Sequence, residues 1–174
     1  MFHIVRKLMW AKRHYGVSGT LEICRKRAAE LMSKFTRAGR EAERREAEFD
    51  RRHGIDTKGV ISLFDLRIES VSVRNGLRYQ TAPPDFVRAV LRRLPFDCRE
   101  HSFIDLGSGK GRTLLLASEL PFRRIIGVEF SPQLHAIAEK NVANCIGLDR
   151  QCEIVECHCM DAVEFDFPEE SLVI

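Results

Sequence analysis

The run Phe103-Ile-Asp-Leu-Gly-Ser-Gly-Lys-Gly-Arg112 places three glycines, Gly107, Gly109 and Gly111, at alternate positions directly behind a short apolar stretch. Bare backbone at the carboxyl end of a strand lets a ligand lie against the chain, and the helix start behind it offers N–H donors. The spacing excludes two familiar ligands. A phosphate loop of the Walker type needs Gly, four residues, then Gly-Lys-Ser/Thr, whereas Lys110 is followed by Gly111. A dinucleotide loop needs Gly-x-Gly-x-x-Gly, whereas the third glycine comes one place early and Arg112 stands in its position. Asp105, two residues before the first glycine, then decides the sign of the ligand. A carboxylate there repels a pyrophosphate and attracts an ammonium or sulfonium group.

Two further acids fit the same ligand. Glu129 ends the next apolar run, at the distance beyond the loop (about 20 residues) where an acid accepts hydrogen bonds from ribose hydroxyls. Asp161, in Met160-Asp-Ala162, follows a third apolar run and is placed to accept from an adenine amine, with Phe130, Met160 and Ala162 as apolar walls. S-adenosylmethionine carries the ammonium, the sulfonium, the ribose and the adenine at once. Cys157-His158-Cys159 has no second cysteine pair at zinc spacing, so buried strand thiols are expected there and no metal site. His135 is expected at the surface, with no role as a base.

These residues need a frame to hold them, and the chain from residue 102 onward alternates accordingly. Ser102–Leu106, Arg124–Phe130, Cys152–Cys159 and Leu172–Ile174 read as strands; Arg112–Glu119 and Pro132–Cys145, the latter behind the cap Ser131, read as helices. That order predicts an α/β, Rossmann-like parallel sheet covered on both faces. Ahead of it, Pro84 opens a helix over 85–94 with Phe86, Val87, Val90, Leu91 and Leu94 on a core-facing stripe. Residues 60–80 are β-prone, with Asn75-Gly76 as a tight-turn signal. Residues 21–49 read as one helix with an apolar stripe through Leu21, Cys24, Ala28, Leu31 and Phe35, ended by Gly54. The expected organisation is a basic helical extension over 1–53, a connector and pre-core helix over 54–101, and the ligand-binding domain over 102–174.

Ile104-Asp-Leu-Gly-Ser-Gly-Lys-Gly111, then Gly127-Val-Glu129, then Asp161 together resemble the cofactor half of the seven-strand, class I S-adenosylmethionine-dependent methyltransferases. Asp-Leu-Gly-Ser-Gly followed by Gly-Val-Glu is similar, within that family, to the non-SET protein-lysine methyltransferases. Tyr79-Gln-Thr-Ala-Pro-Pro84 looks like the Tyr-x-x-Thr-x-Pro-Pro segment of related bacterial enzymes, with one residue fewer between Tyr79 and Thr81. The resemblance covers roughly residues 78–174. It implies that Asp105 holds the methionine amino group, that Gly107, Ser108, Gly109 and Gly111 line the methionine and ribose, that Glu129 binds the ribose beside Phe130, and that Asp161 and Ala162 meet the adenine. Tyr79 and Thr81 are expected either to fold over the cofactor or to cap the next helix. The family's sheet has seven strands and this chain reaches the fourth, so the expectation is the N-terminal half of the fold, with the segment that holds the methyl acceptor not included and no catalytic residue assigned.

Composition agrees with a folded enzyme domain. Of the 174 residues 44% are hydrophobic and 30% charged, which excludes collagen-like and wholly disordered chains. No stretch reaches the ~18 apolar residues of a membrane span. Six scattered cysteines point to free thiols in a reducing, cytoplasmic setting. The net charge of +3 divides into +7 over residues 1–52 and −4 over the rest. A basic segment beside an acidic domain suggests an acidic partner, protein or nucleic acid, that is also the methyl acceptor. The alternative is a cofactor-binding or partner-recruiting module without turnover.

Overall fold

The computed structural model describes residues 9, 12–13, 16–22, 24–25, 28, 32, 35–62, 65–66 and 79–174. The chain divides into two compact units, Met1–Arg45 and Glu46–Ile174.

In the first unit the described residues are mostly helical, but the helix expected over 21–49 is interrupted at Thr36. The Thr36 hydroxyl accepts from the Gly39 amide at 3.0 Å, so it caps a new helix, α1 (Arg37–His53). Leu21 and Phe35, two members of the expected apolar stripe, are each 73% exposed, and Leu31 lies outside the described residues. Gly54, with φ of 66°, ends α1 in the left-handed conformation that glycine adopts without strain.

The second unit is built on a four-stranded sheet. Its strands are β3 (Ser102–Leu106), β4 (Ile125–Glu129), β5 (Val155–Cys159) and β6 (Leu172–Val173). They are parallel in the order β5-β4-β3-β6, with Asp105 paired to Gly127 and Glu129 to Cys159. α3 (Arg112–Ala117) joins β3 to β4, and α4 (Pro132–Asn144) joins β4 to β5. This is the predicted Rossmann-like arrangement. β5 begins three residues later than expected because the Gln151 and Cys152 amides donate to the Ser118 carbonyl, at 2.7 and 3.1 Å, instead of to a strand.

Both faces of the sheet are covered. On one, Phe103 and Ile125 pack with Leu114, Leu115 and Leu116 of α3, with Phe49 of α1, and with Val87 and Leu91 of α2 (Pro84–Leu91). On the other, Ile104, Ile126 and Val128 pack under Met160, Ala162, Phe165 and Leu172. The stripe expected on α2 narrows: Val87 and Leu91, one turn apart, are buried, whereas Phe86 and Val90 are exposed. The cysteines on β5 also differ from expectation. This strand is an edge of the sheet, so Cys157 is half-buried and Cys159 exposed. Of the β-prone stretch over 60–80, β1 (Val60–Ile61) and β2 (Tyr79–Gln80) pair antiparallel; Asn75-Gly76 lies outside the described residues. Among the described residues no helix is long and apolar enough to cross a membrane.

Candidate functional site

The loop between β3 and α3 turns on three glycines with positive φ: 86° at Gly107, 55° at Gly109 and 81° at Gly111. Gly107 and Ser108 both donate their amides to the Val128 carbonyl, at 2.8 and 3.1 Å, which ties the loop to the end of β4. A side chain at Gly109 would collide with the Tyr79 ring, whose Cδ2 lies 2.6 Å from where a Cβ would stand. Gly127 opposite has the same character, because a Cβ there would come within 2.9 Å of the Ser108 hydroxyl. The loop is thus held in contact with β2 on one side and β4 on the other.

A cleft of about 430 Å³ opens at the carboxyl ends of β3 and β4. Three stretches of chain line it: Asp105, Leu106, Gly107 and Ser108 at the end of β3; Glu129, Phe130 and Leu134 from the end of β4 and the start of α4; and Tyr79, Gln80, Thr81 and Ala82 at β2, which form the wall contributed from outside the four-stranded sheet. Arg112 and Thr113 close the end toward α3. This is the place where parallel α/β sheets receive ligands.

The cleft is acidic and desolvated. Glu129 is 4% exposed, and its carboxylate accepts the Gly109 amide at 2.9 Å and the Ser131 amide at 2.8 Å. Burial pushes its carboxyl above the usual range, and those two amides work in the other direction. Asp105 opens on the cleft, yet the surrounding protein desolvates it and pushes its carboxyl up to about 6; the Thr113 hydroxyl opposes that shift and the nearby Glu129 adds to it. Two carboxyls in one cleft, each raised by burial, form a site that a cation would relieve. Among the described residues the only guanidinium in the lining belongs to Arg112, and it is already engaged by Asp50 and Thr57.

Most of the predicted site residues converge here. Asp105, Gly107, Ser108, Glu129, Phe130, Tyr79 and Thr81 all line the cleft. Gly109 and Gly111 do not; the first supports the Tyr79 ring and the second precedes α3, packed against Ala138. Asp161 and Ala162 are also outside the lining. Asp161 caps the short 3-10 turn Ala162–Glu164 by accepting the Val163 amide at 3.2 Å, and Ala162 packs under the far face of the sheet. The pair remains adjacent to the cleft, since the Met160 amide donates to the Glu129 carbonyl at 3.1 Å. His135, expected at the surface, is half-buried, with Nε2 3.4 Å from Glu139.

A second set of residues went unread in the sequence. Arg112, 3% exposed, donates Nε to the Thr57 hydroxyl at 2.6 Å, Nη1 to the Ala82 carbonyl at 3.2 Å and Nη2 to Asp50 Oδ1 at 3.2 Å. Asp50 also accepts the Thr57 hydroxyl at 2.6 Å, and the Thr57 and Lys58 amides, each at 2.7 Å. The Thr57 carbonyl accepts the hydroxyls of Tyr79 and, at 2.8 Å, Thr81. Lys110 leaves the cleft and pairs with Asp56 at 2.9 Å. Asn141 of α4 donates to the Asp56 and Lys110 carbonyls, at 2.9 and 2.8 Å. No local spacing signals this network, because its members come from four separate stretches of chain.

Residues 104–173 match a family model described as a methyltransferase domain. Similar solved structures include an RNA methyltransferase from Salinibacter ruber in complex with S-adenosyl-L-homocysteine, 27% identical, with a TM-score of 0.42 over 52% of this chain and 56% of that one. Another is the YcgJ protein from Bacillus subtilis, 22% identical, with a TM-score of 0.38 over 47% of this chain and 32% of that one. This chain therefore spans less than two thirds of either. No curated protein matches it. The residues matched by the methyltransferase-domain model, 104–173, include the glycine loop at the ends of the parallel strands and both acids, Asp105 and Glu129, whose carboxyls burial raises.

Proposed function

We propose that the protein is a methyltransferase that binds S-adenosylmethionine in the cleft between Asp105, the glycine loop and Glu129. The observation that carries this reading is the desolvated pair Asp105 and Glu129 facing one cavity. The cofactor supplies an electrophilic methyl group on a sulfonium. Asp105 holds the ammonium of its methionine part, and binding of that cation favours the carboxylate form of the acid. Gly107 and Ser108 present backbone without bulk. The two oxygens of Glu129 accept the Gly109 and Ser131 amides, and a carboxylate has about four lone-pair sites, so accepting capacity remains for a ribose hydroxyl. Phe130 and Leu134 provide an apolar wall. Asp161 and Ala162, one step beyond Met160, are the candidates for the adenine edge. The enzyme's further task is to hold the acceptor nucleophile in line with the methyl group.

The acceptor we favour is a protein lysine, on the Asp-Leu-Gly-Ser-Gly and Gly-Val-Glu resemblance alone, with the basic segment 1–53 recruiting an acidic partner surface. A cytoplasmic setting suits six free thiols.

Calorimetry with S-adenosylmethionine, S-adenosylhomocysteine and NAD tests the reading. The first two bind and NAD does not. Glu129→Ala removes a charged acceptor from a buried site and lowers affinity about ten- to hundredfold. Unchanged affinity would remove the ribose role of Glu129. Binding without transfer to any protein or RNA acceptor favours the non-catalytic module.

A further inference from the structure

Among the described residues the cleft wall formed by residues 79–82 is not held by the four-stranded sheet. There β2 pairs only with β1, and Thr81 and Ala82 lie beyond that pairing. What fixes this wall is a relay of polar contacts that starts at Arg112. Its planar guanidinium reaches Thr57, Ala82 and Asp50 through three different nitrogens. Thr57, fully buried, turns its carbonyl to the hydroxyls of Tyr79 and Thr81. Tyr79 in turn covers Gly109, whose amide donates to Glu129. The Phe49 ring lies 5.4 Å from the guanidinium carbon.

We infer that Arg112 is a positioning residue for cofactor binding: through Thr57 it sets Tyr79 and Thr81 in the cleft wall, and this makes residues 46–58 part of the cofactor site. The inference rests on the methyltransferase reading above. The physical basis is geometric. A guanidinium offers five N–H donors in a fixed plane, so it can hold three acceptors in set directions at once; an ammonium is a rotating point charge and cannot. The site needs that rigidity because a wall left to its own side-chain freedom would have to be ordered by the ligand on every binding event, at a cost in affinity.

The test is a double-substitution cycle on S-adenosylhomocysteine affinity, measured by calorimetry on the full chain. Arg112→Lys keeps the charge and loses the fork; Tyr79→Phe loses only the hydroxyl that reaches Thr57. Each single change is expected to weaken binding, Arg112→Lys by about tenfold or more and Tyr79→Phe by several-fold, and the double variant to be no weaker than Arg112→Lys. Thr57→Val, which removes the hydroxyl between Arg112 and Asp50, gives the same phenotype in a less disruptive form and stands in if Arg112→Lys does not fold. Leu91→Ala, a core change outside the relay, lowers the melting temperature without changing the affinity of the folded protein, which separates positioning from general destabilisation. Additive effects in the cycle, or parental affinity in both Arg112→Lys and Thr57→Val, overturn the inference while leaving the methyltransferase reading intact. A parent chain that fails to bind S-adenosylhomocysteine overturns both.

Discussion

Asp105 is held at a cost. Its carboxyl sits at about 6 against an ordinary 3.8, with burial as the first cause. The folded, ligand-free protein therefore keeps a proton that the unfolded chain gives up between those two values. Stability falls as pH rises through that window, and the full penalty applies above it. Asp105→Asn removes the penalty, so the unliganded variant is expected to melt roughly 5 °C higher at pH 7.5 while binding S-adenosylmethionine far more weakly. Calorimetric melting checks the first half and titration the second; an unchanged or lower melting temperature shows that the carboxylate is not strained. In the parent, affinity for the cationic ligand declines as pH drops below about 6 and the carboxyl becomes protonated. Asp105 and Glu129 were legible in the sequence because each ends a strand whose neighbours are plainly apolar, and strand ends of a parallel sheet converge. Asp161 was legible as a strand-end acid too, but its oxygen accepts the Val163 amide of the following turn, a local competition that spacing does not show. Arg112 read only as the residue in place of a glycine, since its partners lie 55 and 62 positions away.

The elements were easiest to read where one device marked each boundary. α4 begins where Ser131 and Pro132 said it would, with the Ser131 hydroxyl accepting the Leu134 amide at 3.4 Å. The same residue donates its amide to Glu129, so the helix start and the cleft wall share a hinge point. Ser131→Ala removes the cap but keeps that amide. It is expected to cost about 1 kcal/mol in denaturant unfolding and to leave the cofactor affinity within about twofold of the parent. A larger loss of affinity than of stability means that the cap also aims Glu129. Boundaries were missed where a partner outside the strand and helix patterns, distant or local, took the backbone amides. β5 starts late because the distant Ser118 carbonyl takes the Gln151 and Cys152 amides, and the long basic helix breaks because Thr36 turns its side chain back on the adjoining chain.

At the scale of the molecule, the last turns of α1 belong to the cofactor domain. Phe49, Asp50 and His53 are buried in the unit Glu46–Ile174, and His53 Nδ1 lies 2.8 Å from the Ile146 carbonyl. A chain starting at Glu46 is expected to fold and to bind S-adenosylhomocysteine like the full chain. One starting at Gly59 loses Asp50 and Thr57 and is expected not to bind. Equal affinity in both shows that the segment is dispensable. The relay also has a temporal side. Asp50 precedes Arg112 by 62 residues, and Asp56 precedes Asn141 by 85. A ribosome adding 5–20 residues per second makes those partners roughly 3–17 seconds apart. Until Arg112 emerges, Asp50 and Thr57 exist without the guanidinium that orients them, and the pairing of β3 with β4 forms later still. The cleft is thus assembled backwards, with the wall made first waiting for an anchor made later.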